Sequence, residues 1–204
     1  MGAAGVRRQS LCLRLSLMAA FALLMAGCQP VAVLPDLPFL TPSAEPLPVL
    51  EGAVRVVGPS GYCPDTASLR ESGGAAVVLL GRCAAESEAT PAVLSVAIGA
   101  AGSGAAMSGG GSAMAAFLTS DQGRASLSRS GRASDLRIRK ALSDDRVFLV
   151  LLEDRQAGTY WRGMIPVAGH LVSISAIGPG LEPEAGRKLV QDGARALWRA
   201  NAPR

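Results

Sequence analysis

The chain has 204 residues, 49% of them hydrophobic but only 4% aromatic, with 24 glycines, 13 prolines, four cysteines and one histidine. Its formal net charge is +4, yet Arg7, Arg8 and Arg14 account for three of its 20 basic residues, so the rest of the chain sets 17 basic residues against 16 acidic ones. That length holds one domain plus a tether, and the near-neutral balance excludes nucleic-acid binding through bulk charge.

At the N-terminus the three arginines, with no acid among them, precede an apolar-to-small run of 12 positions from Leu15 to Ala26. A membrane-spanning helix takes roughly 20 residues, so the layout predicts a secretory signal peptide over 1–27 that takes no part in the fold. Met25-Ala26-Gly27-Cys28 stands at its end. These four residues resemble the lipobox of bacterial lipoproteins, in which Leu, a small residue and Gly or Ala precede a cysteine that is acylated and becomes the new N-terminus; Met25 stands where Leu is commonest. The resemblance implies lipidation of Cys28 and a membrane partner held through acyl chains, each buried methylene contributing about 0.8 kcal/mol. Gln29, where Asp would mark inner-membrane retention, implies the periplasmic face of the outer membrane. The alternative is ordinary cleavage near Ala26 with Cys28 left as a free thiol.

Prolines at 30, 35, 38, 42, 46 and 48 leave no apolar period of 2 or 3.6, so 28–50 reads as the lipidated cysteine and a proline-rich tether, extended by about 3.1 Å per residue in polyproline form. The globular domain is expected over 51–204. Ala53 to Val57 predicts a short strand. The turn cluster "GPSGYCPD" follows, ending at Asp65 as the N-cap of a short helix over Thr66 to Glu71. Gly73-Gly74 leads into Ala75 to Leu80, a continuous apolar run expected as a buried strand. "PAVLSVAIG" is another, with Leu94, Val96 and Ile98 on one face. Cys63 and Cys83 are the cysteines left inside the fold, and an even pair in an exported chain predicts a disulfide. It would contribute roughly 3 kcal/mol through loop closure. A two-cysteine metal site lacks partners, because His170 is the sole histidine.

The stretch "GAAGSGAAMSGGGSAMAAF" predicts a mobile loop over Gly102 to Gly111. A phosphate cradle is the competing idea, but the loop has no lysine and lacks the P-loop ending. Ala113 to Thr119 and Asp121 to Ser128 read as two short helical turns. "DLRIRKALSDDRVFLVLLED" predicts a hairpin turning at Ser143-Asp144-Asp145, with Val147 to Leu152 as its more buried strand. "YWRGMIPV" and "LVSISAIG" predict a second hairpin, joined at Ala168-Gly169-His170. From Pro183 an amphipathic helix closes the chain, its apolar stripe running through Ala185, Leu189, Gly193 and Leu197 and widened by Val190 and Trp198.

A helix of that kind buries its face on a sheet of neighbouring hairpins. The fold class is therefore α+β: a single antiparallel sheet of about six or seven strands with the long C-terminal helix packed on it and short helices in the connections. This element order is similar in outline to the PsbP/Mog1-like sandwich. "GYC" with "LLGRC" about 20 positions later, and the "YWR…GHLVSISAIG…AGRKLV" ending, resemble small exported alphaproteobacterial envelope proteins, a likeness that implies the cysteine pairing and the terminal helix but no mechanism.

Catalytic signals are sparse. A serine nucleophile needs a base in reach and a group to orient it; His170 is the one imidazole and is expected as a solvated turn residue. "GPSG" around Ser60 misses the nucleophile-elbow spacing, and neither Lys140 nor Lys188 follows a serine by three. The acid pairs Asp144-Asp145 and Glu153-Asp154 fall at turns and strand ends, without glycosidase or EF-hand spacing. No catalytic residue, metal site or cofactor is expected. From Arg124 to Arg146 seven basic residues outnumber three acids. Arg137, Arg139 and Lys140 form a candidate anion-binding patch, with Arg137 and Arg139 on one strand face; lipid head groups, lipopolysaccharide or peptidoglycan carboxylates are candidate ligands, and a plain solvated face is the competing reading. Trp161 and Trp198 are expected in packing. No second apolar run reaches spanning length, which excludes membrane transport as an intrinsic activity.

The sequence thus predicts a membrane-anchored envelope lipoprotein acting as a non-enzymatic binding or accessory module, with an envelope protein or peptidoglycan as partner. A hydrolase centred on His170 and a loop serine, or a carrier of a small hydrophobic ligand between sheet and terminal helix, are the alternatives.

Overall fold

The computed structural model describes residues 45–84, 88–144 and 146–203. The signal-peptide reading, Cys28, most of the expected tether and Asp145 lie outside these residues. In chain order the strands are β1 (Leu47–Val49), β2 (Val54–Val56), β3 (Tyr62–Ser72), β4 (Ala75–Arg82), β5 (Val93–Ile98), β6 (Leu136–Asp144), β7 (Val147–Asp154), β8 (Gly158–Val167) and β9 (His170–Ile177). The helices are α1 (Gly110–Thr119), α2 (Asp121–Leu127) and α3 (Pro183–Ala200), with 3-10 turns at Ser103–Met107 and Ala133–Asp135.

Seven strands form one sheet in the order β3-β4-β5-β9-β8-β7-β6, every adjacent pair antiparallel. The fold is α+β, as the alternation of hairpins and a terminal amphipathic helix requires. Two meanders, β3-β4-β5 and β6-β7-β8-β9, join where β5 pairs with β9. The connection from β5 must reach the far edge of the sheet, and α1 and α2 ride on it.

Successive strand residues point to opposite faces, and both faces of the sheet are used. On one, Val78, Leu80, Leu94, Val96, Leu149, Trp161 and Ile174 pack with Val190, Ala194 and Leu197 of α3. On the other, Phe148, Val150, Leu152, Tyr160 and Met164 pack with Met114, Leu118 and Leu127 of α1 and α2. The buried stripe of α3 runs through Gly186, Val190, Gly193, Ala194 and Leu197. It is displaced from the expected one: Ala185 and Leu189 lie at its margin. Glycines set that seating, because a Cβ on Gly163 would stand 2.7 Å from Val190 Cγ1 and one on Gly193 2.4 Å from Ile174 Cδ1.

The structure corrects several expectations. Thr66 to Glu71 is strand, not helix, and belongs to β3. Gly73 and Gly74, with φ of 58° and 72°, form the two-residue turn whose twist suits a hairpin, and pairing with β4 overrides the local helix signal. Asp65 is no N-cap: its Oδ1 accepts from Ala67 N–H within an irregular step of the β3–β4 register. Cys63 and Cys83 are disulfide-bonded, with Cα atoms 5.0 Å apart.

β4 is not buried on both faces. Val77 and Leu79 are 42% and 39% exposed, because α1 and α2 pack over β6 to β8 and stop short of this side. The expected start of the domain also moves: Leu47–Val49, read as the end of the tether, pairs with β2, and Val49, Val54 and Val56 join the core beneath α3.

Candidate functional site

Among the described residues β6 is the outermost strand on its side and has a strand neighbour only in β7. Alternate backbone N–H and C=O groups along such a strand point away from the sheet. Arg137, Arg139 and Lys140, the cations read from the sequence, are all exposed on it. Arg137 lies opposite Glu153 of β7. A bulge between Ile138 and Lys140 interrupts the alternation, and Arg139 reaches Glu153, its Nη1 3.5 Å from Oε2. Arg137 by register and Arg139 by its ion pair thus both stand on the Glu153 side of the strand. Lys140 lies opposite Leu151. It helps hold the Glu184 carboxyl of α3 below the ordinary carboxylate range, behind the larger effect of the hydrogen bond from Arg187.

A recess of about 480 Å³ lies against this strand, lined by Thr119 at the end of α1, Arg124 of α2, and Leu136, Arg137, Ile138 and Arg139. Arg124 is held in place by Asp121 Oδ1 at 2.5 Å and by the Thr119 carbonyl. A second recess, of about 420 Å³, shares Arg137 and is bordered by Glu153, Arg155 and Thr159.

Two buried carboxylates brace the strand's entry. Asp135 Oδ2 accepts from Ser130 Oγ at 2.7 Å and from Arg132 Nη2 at 2.7 Å, with Arg155 Nη1 3.5 Å from Oδ1. The hydrogen bonds from Ser130 and then Arg132 hold it below its ordinary pKa. Asp154 closes the β7–β8 turn, accepting from the backbone N–H groups of Gln156, Ala157 and Arg129. Burial pushes its carboxyl up, but these hydrogen bonds together outweigh burial and leave it lowered. Of the acid pairs weighed in the sequence, Asp154 thus serves the scaffold. Asp144 likewise ties the β6–β7 hairpin to α3, accepting from Gln191 Nε2 at 2.7 Å and Arg195 Nη2 at 3.0 Å.

His170 is not a solvated turn residue. The turn is Ala168-Gly169, with φ of 48° and 81°; His170 begins β9, is buried, and its Nδ1 donates to the Gly99 carbonyl at 2.7 Å. Ser103, the loop serine nearest in the hydrogen-bond pattern, accepts from Leu171 N–H at 2.8 Å. Both groups are spent on joining the β5–α1 connection to the β8–β9 turn. That joining also orders the glycine-rich stretch, which the structure gives a 3-10 turn and the start of α1 where a mobile loop was expected. Gly102 and Gly104 N–H both donate to the Gly169 carbonyl, and a Cβ on Gly104 would stand 3.0 Å from Gly169 C.

No protein-family model matches this chain, and no curated protein matches it significantly. Among the described residues no three His, Cys, Asp or Glu side chains gather as a metal site. No described helix is long and apolar enough to cross a membrane. Trp161 is buried in the core, whereas Trp198 is 37% exposed and lies under Arg146, whose guanidinium carbon is 4.8 Å from the ring centroid.

What the arrangement offers chemically is a strand with outward backbone groups, fringed by cations and flanked by a recess. The basic run was legible in the sequence. The contribution of Thr119 and the bracing by Asp135 and Asp154 were not, since only the packing of α1 and α2 on β6 brings them together.

Proposed function

We propose that this chain is an envelope lipoprotein, acylated at Cys28, whose folded domain is a non-enzymatic binding module that meets anionic envelope material through the basic edge of its sheet. The observation that carries this reading is the exposure of Arg137, Arg139 and Lys140 on a strand with one side open. The Cys63–Cys83 disulfide supports export, since such bonds persist in oxidising compartments. Glu153 offsets part of the charge, but Arg137 has no acid within ion-pair distance among the described residues. An anion meeting these guanidiniums forms charge-assisted hydrogen bonds in place of water-screened ones.

The test is co-sedimentation of the purified full chain with isolated cell envelopes and with purified peptidoglycan. Arg137→Glu/Arg139→Glu is expected to lower retention on at least one of them, and added salt to do the same. Retention unchanged by both treatments rejects the basic edge as the contact surface.

A further inference from the structure

We infer that the open side of β6 accepts an extended acidic peptide segment, which pairs with the strand as an eighth member of the sheet. This rests on the binding-module reading and names the class of partner for the same surface.

Three observations converge. First, among the described residues β6 lacks a neighbouring strand on one side, so its outward amides and carbonyls are a template for an added strand. Second, the recess beside Leu136–Arg139, walled by Thr119 and Arg124, offers alternate side chains of such a strand a place on the helix side. Ile138, half-buried between exposed Arg137 and Arg139, supplies apolar floor there.

Third, the charge selects the occupant. A second copy pairing antiparallel about this segment would set Arg137 opposite Lys140 twice over in the register centred between Ile138 and Arg139, or Arg137 opposite Arg139 twice over in the register centred on Ile138. Like charges directly opposite on neighbouring strands are destabilising. The edge is thereby protected from its own kind while remaining complementary to a strand carrying Glu or Asp at alternate positions. The bulge between Ile138 and Lys140 confines regular pairing to short stretches on either side of it. A partner segment of a few residues fits, and a long one does not.

A seven-residue peptide alternating Glu with Val, capped at both ends and fluorescently labelled, is titrated with the purified full chain and followed by anisotropy. Three matched peptides accompany it: one with Lys for Glu, one with the same composition scrambled, and one N-methylated at alternate amides to remove the donors a strand needs. The acidic alternating peptide is expected to bind, the Lys peptide not to, and N-methylation to abolish binding. Arg137→Ala and Arg139→Ala are each expected to weaken binding about 2- to 5-fold, as exposed ion pairs do. Both residues are exposed, so these variants fold. Hydrogen exchange at the outward amides of residues 136–140 is expected to slow on binding.

Absence of binding up to ~1 mM, the weak end of specific recognition, overturns the inference, as does equal binding by the N-methylated or scrambled peptide. Equal binding by the arginine variants overturns it as well. Salt-sensitive retention on envelopes with no peptide binding would leave the basic-edge reading standing and reject strand addition alone. Loss of both would reject the two together.

Discussion

Gly163 lies on β8 beneath α3, and a methyl group there would meet Val190 Cγ1 at 2.7 Å, Val147 Cγ1 at 3.3 Å and Leu149 Cδ2 at 3.4 Å. Valine is stiff at χ1, and all three neighbours are buried, so the site cannot yield cheaply. Gly163→Ala is expected to cost about 1–3 kcal/mol by overpacking, read as a lower urea midpoint with an unchanged slope. Asp135 and Asp154 carry the acid sensitivity of the same domain. Both hold folded-state pKa values below the ordinary carboxylate value. Their contribution is therefore complete above the unfolded value of about 3.9 and is lost as pH falls through the lower folded values. Denaturation followed from pH 7 down to about pH 2 should show stability falling below about pH 4, with a flatter profile for Asp154→Asn. An unchanged profile would reject this role for the carboxylate.

At the scale of elements, β3 is held to β4 by the Gly73-Gly74 turn at one end and by the Cys63–Cys83 bond at the other. The bond closes a loop across a sequence separation of 20, for which loop-closure entropy corresponds to roughly 3 kcal/mol. Reduction, or Cys63→Ser/Cys83→Ser, is expected to lower the unfolding free energy by an amount of that order, read as a lower melting temperature, while leaving far-UV circular dichroism nearly unchanged. The β8–β9 turn is a second fastening point, because the Gly169 carbonyl accepts from both Gly102 and Gly104. Asn201 is a third: its side chain accepts from Arg55 N–H and donates to the Arg55 carbonyl, joining the end of α3 to β2. Asn201→Ala removes both bonds and is expected to speed hydrogen exchange in β2 more than in β8 or β9.

For the whole molecule, an acyl chain on Cys28 would place a domain fastened in this way at a membrane surface. Intact-mass measurement of the natural protein is expected to give a chain beginning at Cys28 with added diacylglycerol, and Cys28→Ser to release the protein from membranes. The amino-acid sequence alone determined the β6–β7 and β8–β9 hairpins, the terminal helix, the cysteine pair and the basic run 124–146, because each is written in local periodicity, turn residues or composition. Only the tertiary structure decided that residues 66–71 are strand, that the glycine-rich stretch is ordered, and that His170 is buried. The seam between β5 and β9, and with it the outer position of β6, was also decided there. Such features depend on partners outside the segment itself: β4, just across the Gly73-Gly74 turn, supplies the pairing that a helix would have forgone, and Gly169, far along the chain, supplies the acceptor that orders Gly102 and Gly104. A row of arginines states its charge in sequence, but whether its strand has a neighbour on both sides is a property of the assembled sheet.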